Sequence, residues 1–99
     1  MKDIKITVLR TLFLEDLAKE YAPEGLTPCN RVQPNQTFIS PRGNMPEGFC
    51  EEAWKSCSHF AFAMARGMEV FFPGWSNQRV VASCNDGVRP VIFLLEVAE

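Results

Sequence analysis

Cys50-Glu51-Glu52-Ala53-Trp54-Lys55-Ser56-Cys57-Ser58-His59-Phe60-Ala61-Phe62-Ala63-Met64-Ala65-Arg66 is the stretch on which the fold turns. Wound at about 100° per residue, Cys50, Ala53, Trp54, Cys57, Phe60, Ala61, Met64 and Ala65 share one stripe, while Glu52, Lys55, His59 and Arg66 gather opposite. The spacing predicts one amphipathic helix with two thiols turned inward and the only histidine turned to water. Pro46 with Glu47, Glu51 and Glu52 suits a helix start, because proline fits a first turn and carboxylates suit the positive end of the dipole. Gly67 is the matching stop.

Outward from this helix, Ile4, Ile6 and Val8 alternate with Lys5, Thr7 and Leu9, the period of a strand with one buried face. Leu12 to Tyr21 changes to helical spacing, with Leu14, Leu17, Ala18 and Tyr21 on one side. Pro23, Gly25, Pro28 and Pro34 then deny both helix and ladder, leaving a stiff irregular connection that carries Cys29. Thr37-Phe38-Ile39 reads as a short strand, ended by the turn cluster Ser40-Pro41-Arg42-Gly43-Asn44. Met68 to Gln78 is a loop rich in large apolar groups and bent at Pro73-Gly74. Arg79–Cys84 and Pro90–Val97 read as two strands joined through Asn85-Asp86-Gly87, with Gly87 expected in the left-handed position of a three-residue hairpin loop. Val91-Ile92-Phe93-Leu94-Leu95 offers apolar groups to both faces and so belongs at the centre of a sheet. The predicted fold is α+β: a small antiparallel sheet of three to four strands, the long helix across one face and the short one at an edge. A partly closed barrel is the alternative.

The chain has 99 residues, 46% of them hydrophobic, which suits one core and a single domain over 1–99. Ten basic against twelve acidic residues give a net charge of -2, so no positive surplus exists to neutralise a nucleic-acid backbone or an anionic membrane surface. Neither partner is expected. The amino-terminal residues alternate polar and apolar groups instead of forming a secretory apolar stretch, and no apolar segment approaches the roughly 20 residues that span a bilayer. A cytoplasmic location with reduced thiols is the expectation.

Cys29, Cys50, Cys57 and Cys84 include no Cys-x-x-Cys pair of the kind used by zinc ribbons or thioredoxins. If Cys50 were inside the helix it would stand about 10 Å from Cys57 along the axis, beyond the roughly 7 Å limit for a disulfide. Cys50 at a helix start has a dipole that favours a thiolate, opposed by Glu47, Glu51 and Glu52; a packing role competes with a reactive one. Cys57, mid-stripe without a nearby base, reads as a packing group. Cys84 ends a strand before a tight turn, a common place for a functional group on a rigid frame. Convergence of Cys29, Cys50 and Cys84 would let three sulfurs hold zinc or another soft metal ion, with water or Asp86 as the fourth ligand. Three separate thiols are the plainer reading.

Asp86 and Arg89 bracket the same turn. The carboxylate suits backbone N–H groups there, and the guanidinium suits either a neighbouring acid or an anionic ligand. Phe62 interrupts the polar face of the long helix and, with Phe71, Phe72 and Trp75, is a candidate interface for a second copy or another protein. These aromatics completing the core is the competing reading.

Met45-Pro46-Glu47-Gly48-Phe49-Cys50, the following Ala53-Trp54, and Cys84-Asn85-Asp86-Gly87-Val88-Arg89-Pro90-Val91 give the chain a further likeness. It resembles a family of small uncharacterised bacterial and archaeal proteins in which these motifs recur in this order over nearly the whole length. The resemblance singles out Cys29, Cys50, Cys84, Asp86, Gly87 and Arg89. Asn30 stands where the family has proline after its first cysteine, and Cys57 is peculiar to this chain. The likeness implies no activity, substrate or cofactor. No nucleophile, base and orienting group assemble from these residues, so the expectation is a non-enzymatic binding or interaction module that self-associates. The alternative is a metal-binding or redox-active thiol protein built on Cys29, Cys50 and Cys84.

Overall fold

Ile4–Thr11 (β1), Thr37–Ser40 (β2), Arg79–Ser83 (β3) and Val91–Val97 (β4) form one antiparallel sheet in the order β2-β1-β4-β3. The computed structural model describes residues 1–68 and 78–98. Phe71, Phe72 and Trp75 lie outside the described residues. Among those described, the sheet is accompanied by two helices, Glu15–Tyr21 (α1) and Glu51–Ala65 (α2). The architecture is α+β, and the sheet is open, not closed into a barrel.

β4 takes the central place that its two-sided apolar sequence predicts, hydrogen-bonded to β1 on one side and β3 on the other. The inward row is apolar across the sheet: Ile4, Ile6 and Val8 of β1 meet Val91, Phe93 and Leu95 of β4 and Val80 of β3, all buried. Ala53, Cys57, Ala61, Met64 and Ala65 of α2 close this layer from above. Small alanines on the helix let the backbone approach the sheet, and the large groups come from the strands. β1 runs further than its alternating residues suggest. A bulge between Val8 and Arg10 shifts the register, and pairing with β4 continues to Thr11 opposite Val91.

The expected helix start at Pro46 is not observed. α2 begins at Glu51, with Cys50 as the N-cap residue. Residues 46–49 make a turn in which the Phe49 N–H donates to the Pro46 carbonyl at 3.3 Å. The turn drives Phe49 into the core, its ring 4.9 Å from Phe38, 5.4 Å from Phe93 and 6.1 Å from Trp54. Burying a phenylalanine there outweighs the extra helical turn that Pro46 and Glu47 would support. The other end follows the sequence. Gly67 adopts a φ of 69°, and the Met68 N–H reaches back to the Ala63 carbonyl at 3.0 Å, a Schellman-type closure.

α1 differs in another way: it buries no residue, and Tyr21 remains 78% exposed. Its entry is held instead by the backbone, Leu12 N–H donating to Pro90 O at 2.9 Å and Leu14 N–H to Val88 O at 2.8 Å. Seven residues are too few to sustain a helix by propensity alone. The attachment to 88–90 supplies the missing constraint.

The turn after β2 approaches α2 closely at Gly43. Pro41–Gly43 forms one 3-10 turn beside α2, fixed by Ser40 Oγ donating to Asn44 O at 2.6 Å and Arg42 N–H to Asp3 Oδ1 at 2.9 Å. Gly43 has a φ of 84°, and a Cβ placed on it would sit 3.0 Å from the Ala61 carbonyl oxygen and 3.1 Å from Ala65 Cβ. Gly43→Ala therefore meets both an unfavourable backbone conformation and a helix backbone that cannot yield. A loss of about 1–3 kcal/mol is expected, read as a lower urea midpoint at unchanged m-value. A midpoint equal to the wild type would show that the turn and α2 separate freely.

Candidate functional site

The loop after β3 is organised by its own side chains. Cys84 N–H donates to the Val91 carbonyl at 3.0 Å, and Val91 N–H donates to Cys84 Sγ at 3.3 Å, closing the hairpin. Asp86 Oδ1 then accepts from the N–H groups of Val88 at 2.9 Å and Arg89 at 3.0 Å, and its Oδ2 accepts from Arg89 Nε at 3.0 Å. The Arg89 backbone N–H is the largest influence holding the Asp86 carboxyl below the usual carboxylate range; partial burial opposes it. The three-residue loop expected between these strands is replaced by this longer one, 84–90, and Gly87 does not take a left-handed φ. An aspartate that accepts two successive N–H groups turns the chain without one.

Two guanidiniums fasten the proline-rich connection, one to this hairpin and one to the start of α2. Arg89 Nη1 donates to the Thr27 carbonyl at 3.4 Å, and Arg31 Nη1 donates to Cys50 Sγ at 3.5 Å. Asn85 ties the loop to α2 from the other side. It accepts from Ser56 Oγ at 3.3 Å and donates through Nδ2 to Glu52 Oε1 at 2.7 Å. Lys55 donates to the other Glu52 oxygen at 2.7 Å, and this bond first, then that from Asn85, holds the Glu52 carboxyl below its ordinary range.

Between these fastenings lies a cavity of about 240 Å³. Cys29 from the connection, Cys50 from the start of α2 and Cys84 from the end of β3 all line it, with Asp86 and Arg89. Its inner wall is apolar, with Ala53, Val91 and Phe93, and Val32 adds to the lining from the connection. Sequence positions far apart are thus brought to one pocket, each of the three thiols half-buried. All four cysteines are free thiols. Cys50 is the N-cap residue and its carbonyl accepts the first helical bond, from Trp54 N–H at 2.9 Å, so its axial separation from Cys57 stands. Among the described residues, no group of three or more His, Cys, Asp or Glu is arranged to hold a metal ion.

Cys57 lies in the core, fully buried; its thiol is pushed up to about 12, chiefly by burial, with a smaller contribution from Cys84. His59 is exposed on α2, its ring 4.0 Å from that of Phe60, and lines a different hollow with Met45, Trp54 and Phe62. Phe62 is 52% exposed, and the Arg66 guanidinium lies over its ring at 3.5 Å. The histidine and Phe62 thus stand apart from the thiol pocket.

Arg31, Glu52 and Asn85 belong to the pocket and were not singled out from the sequence. Arg31 had a local signal, standing two residues after Cys29 on the same irregular stretch. Glu52 had none, because its place on the polar helix face explains it fully. No protein-family model, curated protein or solved structure matches this chain.

The buried thiol gives a pH signature. An ordinary thiol at 9.0 ionises in the unfolded chain, while Cys57 stays protonated in the fold to about 12. Its contribution is fully present below pH 9.0 and is lost as pH rises towards 12, because the unfolded state releases its proton first. Urea unfolding of the wild type is expected to weaken over this window by on the order of 4 kcal/mol more than that of Cys57→Ala. Parallel curves for the two proteins would place the thiol in contact with water.

Proposed function

We propose that this chain is a binding module whose ligand, a small organic anion with an apolar part, enters the pocket ringed by Cys29, Cys50 and Cys84. The observation that carries this reading is the convergence of three half-buried thiols and two arginines on one cavity with an apolar inner wall. A volume of about 240 Å³ is below the ~300–1,000 Å³ of drug-sized sites, which argues for a small ligand. Arg31 supplies a planar donor fork suited to a carboxylate, Arg89 is already held by Asp86 and Thr27 and adds only its remaining N–H groups, and Phe93 and Val91 suit a hydrocarbon tail. Binding rather than catalysis is the reading because the imidazole lines another hollow. Zinc in the same pocket would require the three sulfurs to close on one another. Reduced thiols fit a cytosolic setting.

Phenylacetate is a suitable probe. Its titration, followed by amide NMR, is expected to give saturable shifts at Cys29, Cys50, Asn85 and Val91, with affinity about tenfold lower for Arg31→Ala, the loss of one charge-assisted contact. Saturable shifts confined to other surfaces, or none, would refute the pocket as a ligand site.

Self-association is a second reading, favoured by the sheet face turned away from α2. Ile39 at 49% and Val81 at 42% exposed flank the half-buried Leu94 and Ile92 on that face. The register sets Glu96 between Lys5 and Arg79, so the face carries both signs of charge and suits a second copy of itself. Light scattering is expected to show a dimer that Val81→Lys disperses. A wild-type monomer at every concentration would end this reading.

A further inference from the structure

The four thiols are not chemically equivalent in this fold. Cys57 is enclosed in the core and holds its proton. Cys84 Sγ is engaged by the Val91 N–H in the closing pair of the hairpin, where movement of the sulfur would unfasten the loop. Cys29 has its backbone on the irregular connection. Cys50 alone combines a half-buried position on the cavity, a place at the start of α2 and a guanidinium donor, Arg31 Nη1, at 3.5 Å from its sulfur. That donor is a fork with further N–H groups free for a carboxylate docked beside the sulfur.

We infer that Cys50 is a site of mixed-disulfide formation with a low-molecular-weight disulfide bearing carboxylates, guided into the cavity by Arg31. The inference rests on the reading of the pocket as an anion site. In the step, the Cys50 sulfur attacks one sulfur of R–S–S–R. A new S–S bond forms between Cys50 and one R–S group, the original S–S bond breaks, and the second R–S group leaves as a thiolate that takes up the proton given up by Cys50. Cys50 is oxidised and the departing half is reduced, so the incoming disulfide is the oxidant and no other reagent is needed. The apolar inner wall of Val91 and Phe93 accommodates the methylenes next to the new bond. Such a modification would fill the cavity and so report oxidising conditions through the same site that binds the anion.

The full chain is incubated under the same conditions with oxidised glutathione, which carries carboxylates, or with cystamine, which carries only amines, and the adducts are followed by intact mass and peptide mapping. The net charge of -2 favours cystamine over the anionic reagent, so a preference for glutathione disulfide reports the pocket and not the overall field. The first adduct is expected on Cys50 and to form about fivefold faster with glutathione disulfide, the scale of one exposed charge-assisted contact. Arg31→Ala is expected to remove the preference. Cys50→Ser, which places a good capping hydroxyl at the same helix position and should fold normally, is expected to remove the fast adduct. First labelling of Cys29 or Cys84, equal rates with the two reagents, or a preference that survives Arg31→Ala would each overturn the inference. Saturable phenylacetate binding beside an unmodified Cys50 would overturn the thiol step while leaving the anion site standing; loss of both would refute the two together.

Discussion

The antiparallel pairing of β1 with β4, from Ile4 opposite Val97 to Thr11 opposite Val91, joins two ends of the chain at the middle of the sheet and sets the position of everything else. β2 can then add only to the free side of β1, and β3 only to the free side of β4. Because β2 and β3 lie on opposite edges, the chain between them must cross the sheet, and α2 is the crossing. The stripe of small residues on α2 matches that task, since alanines at 53, 61 and 65 let the helix lie close over the large side chains of the two central strands. A pairing between segments so distant in sequence must overcome loop-closure entropy, and its return comes from the continuous apolar row it buries.

The thiol pocket is a by-product of the same geometry. α2 begins where the β2 turn delivers it, and Cys50 is the residue at that beginning. β3 ends beside it, so Cys84 arrives from the sheet. The proline-rich connection, unable to form helix or ladder, is free to lie over the gap and brings Cys29 and Arg31 with it. It is attached by the Asn35 N–H bond to the Val8 carbonyl at 2.7 Å, by Cys29 and Val32 packed on the core, and by two guanidinium contacts at 3.4 and 3.5 Å. The pocket thus has one wall of sheet and helix and one wall of irregular connection.

The chemistry available follows from where each polar group ends. Asp86 is spent on the turn and on Arg89, and Glu52 on Lys55 and Asn85, so both carboxylates have structural partners already. On the proposed reading, the sulfurs and the remaining N–H groups of the arginines are left for a carboxylate or a sulfur electrophile.

Much of the architecture was legible along the chain. Alternation named the core side of β1, the two-sided apolar run placed β4 at the centre, and the period of 3.6 put Cys57 inside and His59 in water, because these are local patterns of burial that any fold of this class must satisfy. Gly67 marked its own helix end, since left-handed backbone is a property of a single residue. The helix start was legible only as a region: Phe49 decides it by reaching Phe38 and Phe93, residues remote in sequence whose proximity no local rule contains. The hairpin loop departs from its sequence pattern for a related reason, because the Asp86 carboxylate replaces the glycine as the turning device. Which cysteines share a cavity, and that Arg31 joins them, depends on the strand order and on the path of an irregular connection. Spacing along a sequence carries no information about either, so only the tertiary structure could decide them.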